Sequence, residues 1–157
     1  MRPFAAYLTL RLTHESSDPS TVTRLLERIP TRALRVNQAI QLNGMTKRLK
    51  RSAWILSSEE HVNSADINDH VQWMMEQMNG HRENVLRLND DGWMIALNVM
   101  WDSQTGHGGP VFSSRTLGWM SQIRATLEID CYFIGAYMAI RQQTEFFGGE
   151  SIGMEEL

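Results

Sequence analysis

Between Trp93 and Trp101 the chain alternates without a break. Trp93, Ile95, Leu97, Val99 and Trp101 fall on one face, and Met94, Ala96, Asn98 and Met100 fall on the other. Successive side chains of a strand point to opposite sides, whereas a helix would scatter this pattern around its circumference. The stretch therefore predicts a strand. Its second face is also mostly apolar, which predicts a central strand covered on both sides. Asn89, Asp90, Asp91 and Gly92 predict a turn before it, because these residue types tolerate left-handed backbone. After it, Gly106, Gly108 and Gly109 permit unusual backbone angles, and Pro110 stops the strand.

The remaining elements can be placed around this strand. Phe4–Thr13 predicts a first strand with Phe4, Ala6, Leu8, Leu10 and Leu12 facing in. Asp18 can cap a helix whose first position suits Pro19, with Val22, Leu25, Leu26 and Ile29 on its apolar stripe and Pro30 at its end. Ala33–Leu42 and Ala53–Ser57 predict two further strands. Asn43-Gly44 marks a turn between them, and their short connection requires an antiparallel pair. A long helical segment from Asp66 carries Ile67, Val71, Met74 and Met78 on one stripe. Gly80 interrupts it before Val85, Leu86 and Leu88. Ser113 or Ser114 caps a helix running through Leu117, Met120, Ile123 and Leu127, and Ile129–Ala136 predicts the last strand.

The order is β-α-β-β-α-β-α-β. It predicts an α+β fold with a mixed, mostly antiparallel sheet of about five strands and helices mainly on one face. At 157 residues the chain is long enough to bury roughly 70% of its unfolded surface in one domain. Residues 1–140 read as that domain, and 141–157 as a polar tail anchored only by Phe146 and Phe147. The N-terminus alternates instead of forming an apolar block, so no signal peptide is expected, and no apolar run is long enough to span a membrane. One cysteine, Cys131, fits a reducing, cytoplasmic setting.

A net charge of −3 argues against a dedicated nucleic-acid binder. The charge is segregated, however. Every formal charge from Arg28 to Trp54 is positive, with Lys47, Arg48, Lys50 and Arg51 clustered. Acids dominate from Glu59 to Asp91. Glu59, Glu60, Asp66, Asp69 and Glu76 would form a face for a basic protein partner.

Several residues could carry chemistry. The loop Asp102–Pro110 precedes a helix, so its amides could bind an anion, with Asp102, His107, Gly108, Gly109 and Asp130 as the ligand set. It lacks the Gly-Lys-Ser/Thr ending of a Walker loop. Cys131, His107 and Asp102 could assemble as a nucleophilic set. Yet Cys131 alternates with Ile129 and Phe133 on what reads as the core face, which predicts a buried, inert thiol. Glu128 and Asp130, with Tyr132, occupy the opposite face, where paired carboxylates could do acid–base work or meet arginine side chains. His14, His61, His70, His81 and His107 show no metal-binding spacing, so neither a metal nor a cofactor is expected.

Four segments together resemble the bacterial family of domains of unknown function DUF4279: YLTLRLTHESSDPSTVTRLL, AWILSSEEHVNSADINDHVQWMM, MWDSQTGHGGPVFSS and LEIDCYF. The resemblance spans Tyr7 to Phe133 and implies a small stand-alone bacterial domain. By analogy with single-domain proteins of this kind, the expected function is non-enzymatic protein binding, as in an immunity or antitoxin-like protein that neutralises a cognate toxin. The alternative is a small-ligand or anion-binding protein, or a hydrolase, centred on His107.

Overall fold

The structure is a computed structural model and describes residues 6–103 and 107–133. Its elements are β1 (Ala6–His14), α1 (Ser20–Leu26), β2 (Arg32–Leu34), β3 (Ala39–Leu42), β4 (Met45–Arg48), β5 (Ser52–Ser57), α2 (Ile67–Gln77), α3 (Arg82–Asp90), β6 (Met94–Asp102), α4 (Ser114–Gln122) and β7 (Thr126–Tyr132). The fold is α+β, as the sequence predicts. Five strands form one mixed sheet in the order β2-β5-β1-β6-β7, and β3 and β4 pair separately. All neighbours in the large sheet are antiparallel except β6 and β7, which run parallel through the α4 crossover.

Register explains how the core forms. Leu8, Leu10 and Leu12 of β1 sit opposite Val99, Leu97 and Ile95 of β6, and Leu10 and Leu12 also face Leu56 and Trp54 of β5. These side chains share one side of the sheet, and all are buried. Each helix presents its apolar stripe to that side: Val22 and Leu26 from α1, Ile67, Val71 and Met74 from α2, Val85 and Leu88 from α3, Met120 from α4. Trp54 is wholly buried and donates its indole N–H to Thr23 Oγ1 at 3.1 Å, which satisfies its one polar atom.

Local chemistry sets the element ends. Asp18 Oδ1 accepts the Ser20 amide at 2.8 Å, Asp66 caps α2 through the Asn68 amide, and Ser113 Oγ accepts the Thr116 amide of α4 at 3.1 Å. Asn43 and Gly44 both have positive φ, 50° and 74°, the signature of a type I′ hairpin turn between β3 and β4.

Several expectations are corrected. Helix α1 stops at Leu26, because Glu27 adopts left-handed backbone (φ 49°), and this leaves Ile29 87% exposed instead of on the helix stripe. The Ala33–Leu42 strand is two strands, separated by a turn at Asn37 (φ 63°), and its second half pairs with β4. Helix α4 ends before Leu127. Arg124 (φ 54°) turns the chain, and Leu127 already lies in β7. Strand β6 is central but is not covered on both sides: Met94 is 53% exposed, and Asn98 and Met100 are half-buried. Its neighbours on that side include Thr9 and Arg11 of β1 and Glu128 and Asp130 of β7, so an apolar layer has little to pack against there. The start of the first strand at Phe4, the end of the last at Ala136, and the 141–157 tail lie outside the described residues.

Candidate functional site

The second side of the sheet forms an open surface. Alternation places Tyr7, Thr9 and Arg11 of β1 on it, beside Ile55 of β5, Asn98, Met100 and Asp102 of β6, and Glu128, Asp130 and Tyr132 of β7. Most of these side chains line a shallow depression of about 260 Å³. Enclosed small-molecule sites run from roughly 300 Å³ upward, so this surface suits contact with a larger body better than capture of a small ligand.

The depression has two electrostatically different ends. At one, Arg11 Nη2 reaches both carboxylate oxygens of Glu128, at 3.1 and 2.8 Å, and Asn98 Nδ2 donates to the same carboxylate at 2.8 Å. This set is closed upon itself and holds β1, β6 and β7 in register from the open side. At the other end, Asp102 lies beside Tyr132 in the β6–β7 register, Asp130 is beside Met100, and Glu59 follows the end of β5. Their effect converges on Tyr7. Its phenol is pushed above the ordinary tyrosine value, first by burial and then by the negative charge of Glu59, with Tyr132, Asp130 and Asp102 adding in the same direction.

The residues singled out in the sequence are therefore divided. Asp102 and Asp130 share the open side. Gly108 does not, since it has φ +89° and a Cβ there would lie 3.6 Å from Trp101 Cη2, on the helix side of the sheet. The loop must cross to that side because it feeds α4. His107 is exposed, and its carbonyl accepts the Ser103 hydroxyl at 2.7 Å, while Gly109 has no close neighbour. Cys131 faces the helix side with Trp101, and Asp102 faces the open side, so a Cys131–His107–Asp102 set is not assembled. The expected burial of Cys131 is also corrected, since the residue is exposed: α4 does not extend over this end of β7.

The acidic residues Glu59, Glu60, Asp66, Asp69 and Glu76 are all exposed. Three of them also do local work. Asp66 caps α2, Asp69 Oδ2 accepts the Ser64 hydroxyl at 2.6 Å, and Glu76 Oε1 accepts Gln72 Nε2 at 2.8 Å. Glu59 and Glu60 border a second hollow with Thr31, Ser57 and His61. Among the described residues, no group of three or more His, Cys, Asp or Glu is arranged to hold a metal ion. No described helix is long and apolar enough to cross a membrane.

Sequence reasoning missed two features. Ser58 and His70 form a buried pair, their Oγ and Nδ1 2.7 Å apart. Neither position breaks the local alternation, so nothing in the sequence marks them. The β3–β4 ribbon stands outside the main sheet with Lys47 and Arg48 on it and Lys50 and Arg51 at its root. The charge run was legible, but its projection on a separate ribbon was not.

An α+β protein with helices on one side of a mixed sheet and an open, acid-rich surface on the other is the class these features define. The chain belongs to the family described as Domain of unknown function (DUF4279), whose model matches residues 4–134. No curated protein and no solved structure matches it significantly.

Proposed function

We propose that the protein is a non-enzymatic protein-binding module whose open sheet surface takes a basic patch on its partner. The observation that supports this reading is the convergence of Glu59, Asp102 and Asp130 on Tyr7. Tyrosine, methionine and arginine are enriched where proteins meet, and Tyr7, Tyr132, Met100 and Arg11 stand together on this surface. A carboxylate rim around apolar and aromatic contacts steers a basic partner and fixes its orientation. Glu60 adjoins Glu59, whereas Asp66, Asp69 and Glu76 belong to α2 and its cap on the helix side and would meet only a partner that reaches around the sheet edge. In its specific form the proposal is an immunity protein, held in the bacterial cytoplasm, that neutralises a basic toxin by covering it.

Capture from native lysate with the wild-type chain and with a Glu59→Lys, Asp130→Lys variant tests the reading. The wild type should retain a protein partner, with association slowed by salt and slowed by roughly tenfold or more in the variant, the scale on which charge steering acts. A partner that binds the variant with unchanged kinetics, or a wild-type bait that retains no protein, refutes it. The toxin form fails if the captured partner is not basic.

A further inference from the structure

The β3–β4 ribbon changes character along its length. Leu42 sits opposite Met45 beside the turn, Gln41 opposite Thr46 behind them, then Ile40 opposite Lys47 and Ala39 opposite Arg48. Lys50 and Arg51 follow where the chain rejoins the main sheet at Ser52. From tip to root the order is apolar, polar, cationic. Leu42 is 47% exposed and Met45 58%, and no residue of the ribbon belongs to the core. Pairing puts Ile40, Leu42, Met45 and Lys47 on one face of the ribbon. Arg51 meets Glu15 at 3.3 Å, and Arg48 Nη1 donates to the Asn37 carbonyl at 2.9 Å. Among the described residues, no carboxylate pairs with Lys47, Arg48 or Lys50.

A hairpin that offers apolar side chains first and cations behind them has the polarity profile of a lipid interface. We propose that this ribbon is a peripheral contact for an anionic membrane surface, with Leu42 and Met45 entering the headgroup layer and Lys47, Arg48 and Lys50 meeting the lipid phosphates. The dimensions fit. Lys47 stands two residues behind Met45, about 7 Å at the rise of a strand. Interfacial segments bury their apolar side roughly 5–10 Å into the headgroup boundary. Long lysine stems let the ammonium groups stay at phosphate level. A single-stranded nucleic acid would ask instead for stacking aromatics, and residues 39–48 contain none. The acids of the open surface do not oppose the contact. The ribbon joins the sheet where Ser52 pairs with His14, whereas Glu59, Asp102 and Asp130 lie toward the other end of the strands. The length of β5 between those ends is roughly 17 Å, about twice the screening length of physiological salt. The inference therefore does not rest on the partner-surface reading.

Vesicle flotation of the full chain tests the proposal. Vesicles of equimolar phosphatidylglycerol and phosphatidylcholine should bind it roughly tenfold or more tightly than phosphatidylcholine alone, since each cation near an anionic surface strengthens binding about fivefold. Lys47→Gln, Lys50→Gln should weaken that binding by about thirtyfold. Leu42→Ser, Met45→Ser should weaken it by roughly tenfold or more. All four positions are exposed, so the circular dichroism of both variants should match the wild type. A nitrobenzoxadiazole dye on Met45→Cys, in a Cys131→Ser background, should shift to the blue when anionic vesicles are added. The same dye on the native Cys131, at the opposite edge of the sheet, should not shift. Absent binding, equal binding to both vesicle types, binding that survives either pair of substitutions, or an unshifted dye at position 45 overturns the proposal. Tighter binding to a DNA duplex at the same salt also overturns it and makes a nucleic acid the polyanion that the ribbon meets.

Discussion

Ser58 Oγ and His70 Nδ1 lie 2.7 Å apart inside the core, and this contact ties the end of β5 to α2. The Ser64 carbonyl can only accept, so His70 Nε2, 2.9 Å away, carries the ring proton. Nδ1 then accepts from the Ser58 hydroxyl, and Ser58 Oγ accepts the Leu8 amide at 2.9 Å. Four residues, from β1, the end of β5, the loop that follows it and α2, thus meet in one set of hydrogen bonds. A serine beside a histidine resembles a nucleophile with its base, but Ser58 is 0% exposed and its oxygen is fully engaged.

Ser58→Ala should therefore act on stability. It leaves the buried Leu8 amide and His70 Nδ1 without their partner, a loss of about 1–3 kcal/mol by urea unfolding. A serine-directed phosphonate should not label the folded wild type. Labelling at Ser58 would mean that the hydroxyl is reachable and would overturn the structural role.

Gly92 closes the turn before β6 with φ +97°, and a Cβ there would lie 3.2 Å from His14 Nε2. Both the backbone angle and the contact oppose a side chain. Gly92→Ala should cost about 1–3 kcal/mol, the range for a residue forced into sparsely populated backbone. Gly44→Ala, also at positive φ but with nothing within 4 Å, should cost less. Equal thermal shifts for the two variants would show that the His14 contact carries no energy.

Tyr7 reports on the open surface. Its phenol is held above the ordinary value, so the folded state binds that proton more tightly than the unfolded state does. The associated stability is complete below the unfolded value near 10 and declines as pH rises through the folded value. Asp130→Asn removes one of the charges responsible and should move the Tyr7 midpoint downward in a phenolate absorbance titration of a Tyr132→Phe, Tyr137→Phe background. An unmoved midpoint would place Asp130 too far from Tyr7 to share a binding surface with it.

Asp18 shows the opposite sign. The Ser20 amide and hydroxyl, followed by the Arg35 guanidinium, lower its carboxyl from 3.8 to about 2. Its contribution to stability is present above pH 3.8 and is lost as pH falls toward 2. Carboxyl NMR should give a midpoint of about 2. Asp18→Asn should flatten the acid limb of the stability curve across that window, and a midpoint at the ordinary value would show that the cap is open in solution.

The sequence alone determined what local periodicity and turn chemistry control. The alternation of Trp93–Trp101 gave β6, the Ile67–Met78 stripe gave α2, and Asp18, Asp66 and Ser113 marked helix starts, because each signal lies within a few residues of its effect. The alternation of β7 likewise assigned its two faces correctly. What lies against a face is decided by residues far away in the chain. Alternation could not tell that the helix layer stops short of Cys131, or that Thr9, Arg11 and Glu128 would leave the second face of β6 open. Nor could it tell that the loop holding Gly108 crosses to the side away from Asp102 and Asp130. The Ser58–His70 bond and the gathering of Glu59, Asp102 and Asp130 around Tyr7 belong to the tertiary structure, because each exists only once β1, β5, β6 and β7 are in register.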